Sequence, residues 1–316
     1  MMNYMYYFML NLISLLMILV VVLVGVAFLT LLERKILGYV QLRKGPNKVG
    51  VGGIMQPFSD AIKLFSKEFF FILKSNNYLY YICPMLLFML MLSNWLVSGF
   101  ITNIYFMNYS LLIVIIILTM SSYMFLLMGW SSNSLYSLIG TMRVISQVLS
   151  YEVSFILIIL VLMILSESYS FIDFIKWQNY SWYMVMMVPL FLVYFISILA
   201  ELNRTPMDFI EGESELVSGF NIEYFGSGFA LIFMAEYGMI IFFSYLSLLM
   251  FTNLIYSMMM YLYINIILSL IIFMRGLLPR MRYDELMGLC WKIILPFILN
   301  YMVFILGIKF MFLNLM

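Results

Sequence analysis

Histidine is absent from this chain of 316 residues, and charged residues of both signs make up only 10% of it. Without imidazole, bis-histidine haem, the usual zinc and copper sites and a histidine proton relay are excluded within the chain. The two cysteines, Cys83 and Cys290, lie far apart and match no cluster-ligand spacing, so they read as small buried apolar residues. No glycine-rich dinucleotide or phosphate-loop motif occurs in a strand–turn–helix context. Electron carriers that work with this chain must sit on other chains. The scarcity of charge also excludes a soluble fold, since soluble domains carry about 25% charged residues.

What remains is apolar: 66% of the residues are hydrophobic and the mean hydropathy is +1.08. The long continuous runs lack the short alternating strands of a membrane barrel. The expected class is therefore all-α and polytopic, with residues 1–316 forming one membrane domain. Methionine (31), phenylalanine (29) and tyrosine (24) are abundant. They reflect an AT-biased genetic compartment more than a ligand set. No cleavable leader is visible, because the first segment runs straight into a span.

At about 20 apolar residues per crossing, eight spans are predicted: 9–32, 79–101, 110–130, 144–166, 182–200, 229–251, 255–274 and 291–314. The even number puts both termini on one side. Loops after the odd spans, with their helix ends, hold fourteen of the sixteen basic residues, leaving Lys176 and Lys309 opposite. By the positive-inside rule, the charged loops face the negative compartment, bacterial cytoplasm or mitochondrial matrix. Loop 33–78 on that face contains the segment 57–69, with Phe58, Ile62, Phe65 and Phe69 at helical spacing and Asp60, Lys63 and Lys67 opposite. That pattern predicts an amphipathic helix on the membrane surface, either an anchor or the border of an opening into the protein.

Seven of the fifteen carboxylates fall between Glu201 and Glu236, with Arg204 as the one cation among them. They are Glu201, Asp208, Glu211, Glu213, Glu215, Glu223 and Glu236, mostly in the acidic loop 201–228. Carboxylates beside hydrocarbon are wetted, paired or protonated. Those in the loop alternate with Phe209, Ile210, Leu216 and Val217, so the loop is expected to dip against the bundle. Glu152 interrupts the fourth span, nine residues after Arg143, and reads either as a hydrogen-bonded structural group or as a protonatable relay. Arg275, Arg280 and Arg282 in the seventh loop serve either as partners for these acids or as topology determinants alone.

The segments LLERKILGYVQLRKGPNKVG (31–50), QPFSDAIKLFSKE (56–68), SYEV (150–153), AELNRTPMDFIEGESELVSGFNIEYFGSGFALIFMAEY (200–237) and RGLLPRMRYDELM (275–287) resemble one family across almost the whole chain. It is the family of the first mitochondrially encoded membrane subunit of respiratory complex I and its bacterial H-subunit counterpart. Two departures from its pattern occur: Val144, Ile145 and Ser146 follow the fourth-span arginine, and Phe69 follows Glu68. The resemblance implies eight transmembrane helices plus one interfacial helix in the mitochondrial inner membrane, with both termini in the intermembrane space. It implies a part in NADH:ubiquinone reduction coupled to proton translocation, with no complete active site in this chain.

By the same resemblance, Glu33, Arg34, Arg43, Asp60, Lys63, Arg204 and Arg280 would lie along the quinone tunnel, with Phe229 and Phe233 as its apolar wall. Asp208, Glu211, Glu213 and Glu215 would form an acidic loop beside the quinone chamber. Glu223, Glu236, Glu201 and Glu152 would begin a carboxylate path. The implied substrate is ubiquinone, with FMN and iron–sulfur clusters on partner subunits only. Implied partners are hydrophilic quinone-site subunits, antiporter-like membrane subunits and lipid, and no nucleic acid. Two rival readings of the acids stand beside this one: a stand-alone proton or ion transporter, and a purely structural scaffold.

Overall fold

Hydrocarbon offers backbone amides no water to bond, so a chain this apolar closes its hydrogen bonds within helices. The computed structural model describes residues 2–68, 73–97, 108–208, 223–255 and 257–315, and among these it contains helices and no strand. In chain order the helices are α1 (Met2–Val40), α2 (Gln56–Phe65), α3 (Asn77–Asn94), α4 (Ser110–Ser132), α5 (Leu135–Ser166), α6 (Phe171–Trp177), α7 (Tyr183–Met186) and α8 (Val188–Glu201). After the acidic loop come α9 (Gly226–Phe251), α10 (Met259–Leu277), α11 (Tyr283–Gly288) and α12 (Leu295–Leu315). A π-helical stretch, Leu289–Ile294, joins the last two.

Seven of the described helical segments are long and apolar enough to cross a membrane. The fifth expected span is different. Pro189 restarts the helix after a break at Met187, so residues 182–200 divide into the single turn of α7 and the shorter apolar helix α8. At about 1.5 Å per residue, the 14 residues of α8 cover about 21 Å, less than a hydrocarbon core of about 30 Å. Other spans run past the apolar window. α1 continues through Glu33, Arg34 and Lys35, and α5 begins at Leu135, where Ser134 accepts from the Ser137 amide. Charges expected in loops therefore ride on rigid helix ends.

Helix α9 lies at the centre, packed against α1, α3 and α10, while α5 packs against α4, α8 and α12. With lipid on one side and protein on the other, hydrophobicity cannot discriminate between helices, and close approach at small residues does that work instead. Gly129 of α4 sits against Thr141 of α5, so that an added Cβ would fall 2.7 Å from the Thr141 Cβ and closer still to its γ atoms. Gly129→Ala is expected to cost about 1–3 kcal/mol through overpacking. Thermal unfolding of the purified assembly would register this, and an unchanged melting temperature would contradict such tight packing.

The amphipathic helix forms as expected but ends at Phe65, four residues early; Phe69 lies outside the described residues. Its apolar face, Phe58, Ile62 and Phe65, is exposed, which suits a helix resting on lipid. Phe28 of α1 meets Phe58 edge-on at 6.0 Å, and Arg34 bonds Asp60 at 2.7 Å, fixing α2 to the end of α1. The glycine-rich loop before it is held by Lys35, whose Nζ donates to the Gly52 carbonyl at 2.8 Å. Gly53 adopts φ +80° directly against the Pro46 carbonyl, a place where no side chain fits.

Candidate functional site

The inward face of α1 carries Val22, Val26, Leu29 and Glu33, all buried, at the four- and three-residue spacing of one helical stripe. The stripe ends in a carboxylate where another apolar residue would continue it. Glu33 bonds two guanidinium groups: Arg204 at 3.4 Å, just beyond α8, and Arg275 in the last turn of α10. Tyr237 of α9 completes the cluster, hydrogen-bonding Glu33 and lying under Arg204, whose Cζ is 4.5 Å from the ring centroid. Burial alone would favour a neutral guanidine. Tyr237, Glu33 and Glu236 outweigh it and hold Arg204 above its ordinary range. Among the described residues, Arg204 Nη2 has no hydrogen-bond partner.

From this cluster an aromatic ladder follows one face of α9. Tyr237, Phe233 and Phe229 are four residues apart, with ring centroids separated by 6.4 Å and 4.3 Å. The start of α9, below the ladder, packs against the amphipathic helix: a Cβ added to Gly226 would lie 3.6 Å from the Leu64 carbonyl of α2 and from Cβ of Lys67 just beyond it. A continuous apolar edge therefore leads from the surface helix to a buried, positively biased cluster.

On the other side of α9 lies a small interior cavity bounded by Glu201, Asn203, Glu236, Phe125, Val148 and Met239. The centres of water-sized molecules have about 40 Å³ there, above the roughly 10–15 Å³ that one water needs. It is far too small for a quinone ring. Glu201 Oε2 and, nearby on α5, Glu152 Oε1 have no hydrogen-bond partner among the described residues. Gln147, one turn before Tyr151, ties this region together by donating to the carbonyls of Ala200 at 2.9 Å and Met207 at 2.8 Å. Gln147→Leu would leave the Met207 carbonyl without this donor, at a cost of about 1–3 kcal/mol, while the Ala200 carbonyl keeps the Asn203 amide at 3.2 Å. The expected result is a large loss of heat stability, and retention of the parental melting point would refute the bridging role.

The expected residues thus divide. Glu33, Arg204, Phe229, Phe233 and Glu236 converge on α9, with Glu201 and Glu152 around the cavity. Arg34 and Asp60 form a separate pair at the joint of α1 and α2, while Arg43, Lys63 and Arg280 are exposed. Asp208 is buried, and the Glu223 carbonyl accepts a bond from Tyr80. Glu211, Glu213 and Glu215 lie outside the described residues. Of the seventh-loop arginines, Arg275 bonds Glu33 of α1. The loops themselves meet through the Met281 amide, which donates to the Pro206 carbonyl at 2.9 Å. Tyr237 is not among the expected site residues, although Phe229, Phe233 and Tyr237 at four-residue spacing could have revealed it.

Residues 13–306 match the family model described as NADH dehydrogenase. A mosquito protein, NADH-ubiquinone oxidoreductase chain 1 of Aedes aegypti, is 49% identical over 310 residues, covering 98% of this chain and 99% of that one. The protein of that name from Apis mellifera ligustica is 46% identical over 94% of this chain and 97% of its own. The one from the lamprey Lampetra fluviatilis is 44% identical over 90% and 91% respectively.

Proposed function

This chain belongs to the NADH dehydrogenase family, and on that premise we propose that it lines the path by which ubiquinone leaves the bilayer and reaches a reducing site shared with partner subunits. It is a core membrane subunit of NADH–ubiquinone oxidoreductase in the mitochondrial inner membrane, with other subunits of that complex as its partners. Its charged loops face the matrix in this reading, which the distribution of lysine and arginine supports.

One observation carries the reading: the Phe229–Phe233–Tyr237 ladder lies on α9, which packs against the amphipathic helix, and ends at the Glu33–Arg204–Arg275 cluster. An isoprenoid tail entering beside α2 gains free energy for each apolar group it buries along the two phenylalanines. The quinone head then meets a region with two guanidinium groups against Glu33. Two electrons from clusters on partner subunits and two protons convert quinone to quinol. Before those protons arrive the head is anionic, and excess positive charge nearby favours that state. The same anionic charge acts through a low-dielectric interior on Glu236, Glu201 and Glu152, altering their proton affinity. The water-sized cavity supports a role in proton movement for these acids and not in quinone binding. Glu211, Glu213 and Glu215 would add further carboxylates beside the quinone chamber.

Phe233→Ala tests the tunnel. A tail that crosses this wall loses about 1.4 kcal/mol or more of contact, so KM for a long-tailed quinone should rise about tenfold. A quinone with a very short tail should be little affected. Equal changes for both would remove Phe233 from the passage.

A further inference from the structure

The ends of α5 and α12 meet at the opposite end of α5 from the charged cluster, and they enclose a pocket that quinone reduction does not use. Its volume is about 520 Å³, within the range of about 300–1,000 Å³ common to small-molecule sites. Leu160, Ile164, Leu306 and Phe310 supply aliphatic and aromatic walls; Glu167, Ser168 and Lys309 occupy its polar end. Tyr169 also lines it and lies 6.2 Å from Tyr109, an aromatic pair at the ends of two spans, as at a membrane–water boundary.

The polar groups have spare bonding capacity of a specific kind. Lys309 Nζ bonds Glu167 at 2.7 Å and donates to the Ile164 carbonyl at 2.6 Å. An ammonium group has three donors, so one is left over. Glu167 is 60% exposed at its side chain and retains acceptor sites beyond the one Lys309 occupies. The Ser168 hydroxyl is buried and has no hydrogen-bond partner among the described residues. Because Lys309 and Glu167 cancel, the site holds no net charge to attract a purely anionic headgroup.

We propose that this pocket binds a zwitterionic phospholipid with a primary ammonium, a phosphatidylethanolamine. Its phosphate takes the third Lys309 donor and the Ser168 hydroxyl. Its ammonium donates to Glu167, which a choline headgroup, lacking N–H, cannot do. One acyl chain follows the groove between Leu160 and Ile164 of α5 and Leu306 and Phe310 of α12.

The test uses the intact complex, purified without delipidation and exposed to a photoactivatable phosphatidylethanolamine. Peptides carrying residues 160–169 and 306–310 should both be labelled. Unlabelled phosphatidylethanolamine should compete about tenfold better than phosphatidylcholine or cardiolipin. Lys309→Gln and Glu167→Gln should each reduce labelling by a similar factor while NADH–quinone turnover persists. Stronger competition by cardiolipin would overturn the zwitterion assignment, and equal competition by phosphatidylcholine would overturn the ammonium contact. An unlabelled pocket in the native complex would mean that a neighbouring subunit covers it. If either variant fails to assemble, the competition series on the unaltered complex still decides.

Discussion

Glu33→Gln is expected to destabilise the protein by about 3–5 kcal/mol, because it leaves the buried Arg204 and the partly buried Arg275 without their shared counter-charge. Breaking a buried pair from one side costs more than the pair contributes, since the surviving charge keeps its desolvation penalty. The amount of assembled complex and its melting temperature should both fall. In the double variant Glu33→Gln/Arg204→Met, one of the stranded charges is gone, so part of the loss should be recovered. A cycle of the single and double variants measures that coupling. Purely additive effects would mean that Glu33 and Arg204 do not act as a unit. By contrast, Asp60→Asn breaks an ion pair whose side chains are 36% and 52% exposed, and its stability effect should stay within about 1 kcal/mol.

The second large effect is expected at Glu201→Gln. A carboxamide has nearly the shape of a protonated carboxyl group, so the bundle should assemble. It cannot release and regain a proton, so NADH–quinone turnover coupled to proton movement should fall by about tenfold or more, a general acid–base contribution being about 10²–10⁴. Glu236→Gln, across the same cavity, should behave alike. Coupled turnover at the parental rate would exclude Glu201 from proton handling. Failure to assemble would favour a structural duty for the group. Transport by the isolated chain without NADH or quinone would favour the stand-alone transporter.

Much of the architecture was legible one residue at a time. Apart from residues 182–200, the apolar runs of about 20 residues become helices long enough to cross a membrane, because helical hydrogen bonds satisfy their amides in lipid. The surface helix announced itself through Phe58, Ile62 and Phe65 opposite Asp60 and Lys63. The site was legible only in part. Glu152, Glu201 and Glu236 stood out because a carboxylate in an apolar run demands an explanation, and all three lie at or beside one cavity. That Glu33 pairs with Arg204, 171 residues away, and with Arg275, 242 residues away, left no trace in spacing. Nor did the break at Pro189 prevent residues 182–200 from reading as one long span, because hydropathy averages over a proline.

By itself the sequence determined the class of molecule, the number of its apolar segments and the clustering of its basic residues in alternate loops. These follow from solvation free energies, which are properties of single residues and short runs. Only the tertiary structure decided which charges face one another, which aromatic rings align into a wall, and that Lys309 caps α5 beside an open pocket. Helices in a membrane are all similarly apolar, so their partners are chosen by shape at small residues such as Gly129 and by long-range polar pairs. Both depend on how distant segments meet in three dimensions.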